Sequence, residues 1–402
     1  MKKVFLFSLL LVFGLMGSQF FPLWFPEDYG NYQQPIRVLT MFCLSFIMIH
    51  VGYEFELDKK NLKQYLVDYG VAATAAAFPW ILCAVYFVLI IKGPGAFRDH
   101  SAWKESLLTA RFAAPTSAGI LFSMLAAAGL AGTWVFRKAR VLAIFDDLDT
   151  ILLMIPLKIM MVGFRWQLVV MVMLMFTLLW VAWKYLHRLA IPVSWLWVMG
   201  YSAIITVLCE LVYWVSKIIN DVLPLHIEVL LPAFVLGCIL ARPSGHDPHV
   251  DDMREGHQEG LETSEEQRIS TWISGIFMIL VGLSLPSMGN IQDGESNLTW
   301  GSIMFHVLLI TLLANLGKMF PLFCYRREAS WRERLAMCIG MWPRGEVGAG
   351  VLVVSLSYGI GGAMVTVAML SLALNLLLTG IFIYFTKRLL INTPSMVRFS
   401  EL

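Results

Sequence analysis

Apolar residues in this chain come in long blocks, not at the period of two of a half-buried strand or the 3.6-residue stripe of a surface helix. Blocks lie near 4–25, 36–56, 69–92, 104–128, 138–163, 167–187, 192–218, 224–242, 270–288, 300–324, 335–358 and 362–388. Each is close to or above the about 20 residues that a helix needs to cross a hydrocarbon layer. Polar or Gly/Pro-containing stretches separate them. The pattern predicts an all-α polytopic membrane protein of about twelve transmembrane helices. The first block opens Met1-Lys2-Lys3 and meets a small-residue patch at Gly17-Ser18, the outline of a secretory signal. It resumes at Phe20-Phe21 and reaches Phe25, longer than a signal core, so a retained helix is expected.

Composition sharpens this reading. Of 402 residues, 58% are apolar and 14% charged, against roughly 45–50% and about 25% in soluble domains. Mean hydropathy is +0.71. This excludes an ordinary soluble enzyme, a nucleic-acid binder and a disordered scaffold, and the net charge of +2 gives no field for polyanions. With the N-terminus inside, twenty Lys and Arg fall on the cytoplasmic side and five (Lys92, Arg98, Lys104, Arg165, Lys217) on the other. By the positive-inside rule both termini are cytoplasmic and the bilayer is the cell's inner membrane. The six cysteines stand singly in apolar stretches and read as small hydrophobes. The hydrophilic stretch 243–268, with His246, His249 and His257, reads as a solvated linker before a pH sensor or metal site.

Ionisable groups inside a span cost about 2.5–3.5 kcal/mol each on insertion scales and mark function by default. The fifth block carries Asp146-Asp147-Leu148-Asp149 after the apolar run Val141 to Phe145. On a helix Asp146 and Asp149 share a face and Asp147 points about 100° away. A helix that starts later would make this a mere turn, but Arg137, Lys138 and Arg140 already supply the interface. In the tenth block Lys318 is flanked by apolar residues; it either snorkels to Arg326-Arg327 or pairs with a buried carboxylate. The eleventh holds Pro343-Arg344-Gly345-Glu346-Val347-Gly348, and the fourth a matching interruption at Ala114-Pro115-Thr116-Ser117-Ala118-Gly119. Irregular backbone at membrane depth survives only inside protein or beside a watery cavity. Thr116 to Asp147 spans 31 residues, as does Arg344 to Asn375. Interruptions at corresponding places in two halves point to an inverted-repeat transporter with two broken helices, spans 4 and 11, and a site at the midplane.

At these residues the chain resembles the sodium/proton antiporters of the second cation:proton antiporter family, in their NapA-like branch. The resemblance runs from about Ile36 to Leu390 through Thr116-Ser117-Ala118-Gly119-Ile120, Asp146-Asp147, Gly317-Lys318 and Pro343 to Gly348, with weaker echoes at Val51-Gly52-Tyr53-Glu54, Pro232 to Gly237 and Val281-Gly282-Leu283. It implies core helices at 67–165 and 299–402, with spans 4 and 11 crossing. It also implies dimerising scaffold helices at 1–66 and 191–298, a linking helix at 166–190, and a homodimer. It makes Asp147 the carboxylate that binds proton or cation (Na⁺ or K⁺), and Asp146 a neighbour paired with Lys318 in the cation-free state. Thr116 and Ser117 would line the site, and Arg344 and Glu346 would serve as electrostatic partners of the breaks. Asp149 and Lys158 depart from the pattern; Lys158 follows Asp147 by eleven residues and shares its face. They and Asn375 are possible modifiers.

The implied activity is exchange of a monovalent cation, Na⁺ first, for protons by alternating access, with no cofactor and no enzymatic chemistry. A Kef-like K⁺ efflux system is the alternative, though no Gly-x-Gly-x-x-Gly of its nucleotide-binding domain occurs in the sequence. An intramembrane aspartyl protease is more distant, because its acids lie on separate helices, and a non-transporting receptor is a third possibility. Arg111 either compensates the helix end before the first interruption or sits at the outer interface. Glu210, His226 and Glu228 read as interface or dimer contacts, and Glu54, Glu56 and Asp58 as a wetted helix end.

Overall fold

The computed structural model describes residues 2–24, 29–53, 62–163, 166–219, 229–241, 264–285 and 300–391. The helices are α1 (Lys2–Trp24), α2 (Tyr29–Tyr53), α3 (Leu62–Tyr86), α4 (His100–Ala110), α5 (Ala118–Ala127), α6 (Trp134–Val162), α7 (Trp166–Lys184), α8 (Trp195–Ile219), α9 (Leu230–Ile239), α10 (Ser264–Leu283), α11 (Trp300–Gly317), α12 (Trp331–Gly340), α13 (Glu346–Ser357) and α14 (Ala363–Leu390). Every apolar block contains helix; the fourth is split into α4 and α5 and the eleventh into α12 and α13. Among the described residues, seven stretches are by length and composition able to cross a membrane: Lys2–Phe21, Tyr32–Tyr53, Lys63–Ile91, His100–Ala127, Trp195–Ile218, Trp300–Phe323 and Ala363–Leu390. The aspartate-bearing α6 is not among them, since its seven Asp, Lys and Arg dilute its apolar character. Most of 243–268, and Glu54, Glu56, Asp58, His226 and Glu228, lie outside the described residues.

The chain forms two compact units. Among the described residues, the first lies within 1–33, 60–163 and 278–398 and the second within 34–59 and 164–277. The first helix thus belongs with the aspartate helix: α1 buries Val4, Phe7 and Leu11 and packs on α14 and α5. Within the same unit α3 packs on α6 and α11, and α14 on α11 and α12. At Gly317 the end of α11 meets α3 backbone to backbone, since a Cβ there would come within 2.5 Å of the Pro79 nitrogen. This close approach delivers the next residue, Lys318, into the interior.

The start of α6 is fixed by polar contacts of the same unit. Lys138 Nζ donates to both carboxylate oxygens of the buried Asp68 at 3.1 Å and lies 3.0 Å from Glu328. The Tyr325 hydroxyl donates to Asp68 at 2.7 Å, and the Lys138 ammonium sits over the Tyr325 ring. Burial, and then the adjacent carboxylate, pushes the Tyr325 phenol up, so it keeps the proton that it donates.

In the second unit Arg37 forks onto both oxygens of Glu210 at 2.7 and 2.8 Å and stacks on Tyr213. Glu210 is therefore a structural partner inside its own unit. Leu189 and Leu240 form an isolated parallel bridge, and α8 exposes Ile204, Val207, Leu211, Val215 and Ile218, as a lipid-facing surface does.

Candidate functional site

The site grows from two interrupted helices in the first unit. α4 is capped by Asp99, whose carboxylate accepts the N–H groups of Ser101 and Ala102 at 2.9 and 3.3 Å. It ends in a 3-10 turn, Arg111–Ala113, and gives way at Pro115, which has no N–H to continue the ladder. Ser117 restarts the helix: its backbone is extended and its hydroxyl accepts from Ile120 N at 3.4 Å, the N-cap of α5. The eleventh span repeats the device. A Ser330–Glu333 capping box opens α12, the chain is irregular from Met341 through Gly345, and α13 starts at Glu346.

The two irregular segments cross and bond. Ser117 N donates to Pro343 O at 3.0 Å and the Thr116 hydroxyl to Met341 O at 3.1 Å. Gly345 lies in the crossing, where a Cβ would come 2.9 Å from both Ser117 Oγ and Ile120 Cδ1. A glycine is what lets the segments touch there.

Orphaned backbone ends at the crossing are met by charged groups. Asp146 of α6, fully buried, accepts the Thr116 N–H at 2.8 Å on Oδ2. The carboxylate thereby faces the positive N-terminal end of α5. The same oxygen accepts from Lys318 Nζ at 2.6 Å, in an ion pair closed to solvent on both sides. Asp147 is also buried, next to Asp146 on α6. On the other side Arg344, again buried, meets the carbonyl ends: Nε donates to Ala113 O at 2.8 Å, Nη2 to Ala314 O at 2.7 Å and Nη1 to Trp342 O at 3.1 Å. Nη1 also reaches Asn315 Oδ1 at 2.6 Å, the oxygen on which Asn375 Nδ2 converges at 3.0 Å. Asn375 Oδ1 accepts the Arg344 N–H at 3.1 Å.

Two paired buried charges, adjacent carboxylates and half-helix ends facing one point make a site that can hold a small cation, a proton or an internal ammonium in turn. Over residues 2–388 the sequence matches the family of transmembrane sodium/hydrogen exchangers. The chain belongs to that family. Among solved structures, the sodium proton antiporter MjNhaP1 of Methanocaldococcus jannaschii at pH 8 superposes with a TM-score of 0.59 at 13% identity, covering 96% of this chain and 92% of that one. At that identity the likeness establishes the shared antiporter fold. No curated protein matches the sequence.

Within this exchanger the structure brings Asp146, Thr116, Lys318, Ser117 and the Arg344 backbone to one crossing, with Asp147 adjacent. Asn375 sits at the second interruption, away from the carboxylates' hydrogen bonds. Lys158 is half-buried near the far end of α6, and the side chain of Glu346 lies outside the described residues. Asp149, buried, faces Arg111, whose Nη2 donates to the Asp149 carbonyl at 3.0 Å. Arg111 is fully buried within the protein. Sequence reasoning missed Asn315 as the acceptor shared by Arg344 and Asn375. Its signal was an amide one turn before Lys318 in an apolar helix. The adjacent placement of Asp146 and Asp147 on one helix, one of them bonded to an amine, is not the geometry of a protease dyad, and the exchanger family is one of transporters.

Proposed function

We propose that this exchanger moves Na⁺ against protons at Asp147, with Asp146, Thr116 and Ser117 supplying further oxygens and Lys318 acting as the internal competitor. The observation that carries the reading is the Lys318–Asp146 pair, closed to solvent at the crossing of the broken helices. A carboxylate there is costly when charged and empty, so it holds a proton, the ammonium or a metal cation. An entering cation displaces the ammonium from Asp146 and the proton from Asp147. Departure of the cation to the other side restores both. Arg344 cannot lose its charge and bonds only neutral acceptors, so it holds the crossing in place while the acids change partners.

The loaded core, spans 3–5 and 10–12, moves against a scaffold that pairs two copies of the chain, with span 6 as the link. The bilayer is the cell membrane and both termini are cytoplasmic, as the lysine and arginine asymmetry supports. No cofactor takes part. The decisive experiment is cation-driven proton flux in proteoliposomes with Na⁺, Li⁺ and K⁺ in turn. The parent should respond to Na⁺ most strongly and Asp147→Asn should be silent to all three. Flux through Asp147→Asn comparable to the parent contradicts the assignment, and a response to K⁺ alone transfers the reading to K⁺/proton exchange.

A further inference from the structure

A second buried acid–base pair stands beside the first and takes no part in the exchange described above. Arg111, on the turn that closes α4, has no solvent contact. Its Nη2 lies 3.9 Å from Asp149 Oδ2 as well as 3.0 Å from the Asp149 carbonyl. The guanidinium rests 4.9 Å from the centre of the Trp80 ring, which is itself held by an Nε1 bond to Leu107 O at 2.7 Å. Among the described residues, Nε and Nη1 of Arg111 and Oδ2 of Asp149 have no hydrogen-bond partner. The charge is therefore positioned by an aromatic face and one carbonyl, facing its carboxylate without forking onto it. Asp149 lies one turn beyond Asp146 on the same face of α6. A guanidinium keeps its charge at every physiological pH, unlike an ammonium that can be relieved of its proton.

We propose that Arg111 is a positioning residue for the transported cation, a tethered counter-ion that occupies Asp149 and so sets how tightly Asp146 and Asp147 hold their cargo. The proposal rests on the reading of Asp147 as the cation site. A third carboxylate one turn from Asp146 adds its negative charge to the field that a bound cation feels. A fixed positive charge one turn away cancels the third. Lys318 competes for the site and leaves it; Arg111 stays and weakens every cation that binds.

The sign of the effect separates this role from a structural one. Arg111→Gln removes the counter-ion and, assayed at a pH alkaline enough to keep Asp149 ionised, should lower the apparent KM for Na⁺ about tenfold, the scale of one unit charge acting over about 10 Å at an effective dielectric of about 20. Asp149→Asn leaves the guanidinium uncompensated and should raise KM by about the same factor. The double variant Arg111→Gln/Asp149→Asn should return near the parent, and Arg111→Lys, which keeps the charge, should stay near it. KM and Vmax for Na⁺ are measured in proteoliposomes with Asp147→Asn alongside. Opposite KM shifts in the single variants, cancelling in the double, support the proposal. Shifts of the same sign, or changes in Vmax alone, overturn it while a silent Asp147→Asn leaves the site reading intact. Exchange retained in Asp147→Asn overturns the site reading and this proposal together. Where Arg111→Gln fails to reach the membrane, Asp149→Asn decides alone: a raised KM supports the proposal, an unchanged or lowered one overturns it.

Discussion

The two interrupted helices use one backbone device and load it differently. In each, an irregular segment holding a proline offers an N–H to a side-chain oxygen on the next span, α6 or α14, 30 residues on for Thr116 and Asp146 and 31 for Arg344 and Asn375. At the first interruption the acceptor is a carboxylate that also holds the Lys318 ammonium. At the second it is a neutral amide, and the described charge there is the Arg344 guanidinium, bonded to three backbone carbonyls and an amide oxygen. The first interruption thus meets a buried ion pair, and the second a guanidinium bonded to neutral acceptors. Pseudo-symmetry supplies the crossing, and departure from it supplies the chemistry.

Substitutions at the second interruption should cost stability, and those in the ion pair should change binding. The largest effect is expected for Arg344→Met. It strips the Ala113, Ala314 and Trp342 carbonyls of the guanidinium at once and leaves Asn315 Oδ1 with the Asn375 amide alone, a cost of about 1–3 kcal/mol for each buried acceptor left unsatisfied. Thermal unfolding in detergent should show the collapse, whereas a normal melting temperature would deny that the guanidinium holds the crossing. Next, Asn375→Ala orphans the Arg344 N–H and should cost about 1–3 kcal/mol in the same assay with the Na⁺ KM unchanged; a shifted KM would erase the distinction between the halves. Lys318→Gln removes the internal competitor and should tighten Na⁺ binding about tenfold, or about 1.4 kcal/mol, as read by titration at neutral pH. Weaker binding would mean that the ammonium assists the cation. The smallest effect is expected for Tyr325→Phe, which loses one hydrogen bond to Asp68 at the start of α6, worth about 0.5–1.5 kcal/mol. Its melting temperature should fall slightly and its transport should stay near normal.

Much of this architecture was legible because oil is an unforgiving solvent. Apolar blocks announce spans by length alone, and a proline among glycines, as in Pro343-Arg344-Gly345, announces a break that only protein can shelter. Lys318 and Arg344 could be singled out because a charge at that depth is expensive, although Lys318 could equally have reached the interface. The phase of a helix was less legible. Equal spacings matched Thr116 to Asp147, whereas the Thr116 N–H meets Asp146, one residue and about 100° away. Arg111 was ambiguous, because a charge near a break reads alike whether it faces water or a buried acid. Asp68 lay hidden at the edge of an apolar block, and its partners Lys138 and Tyr325 are 70 and 257 residues distant. Pairings of that range follow from packing, as does the placement of α1 with the aspartate helix's unit.

The central claim is that one buried carboxylate site takes a cation only by giving up a proton. It is tested most directly by adding Na⁺ to the purified, weakly buffered protein and recording the pH of the solution. Prompt acidification that saturates with Na⁺ and is absent in Asp147→Asn is expected. Saturable Na⁺ binding with no proton release, or equal release from the variant, would contradict it.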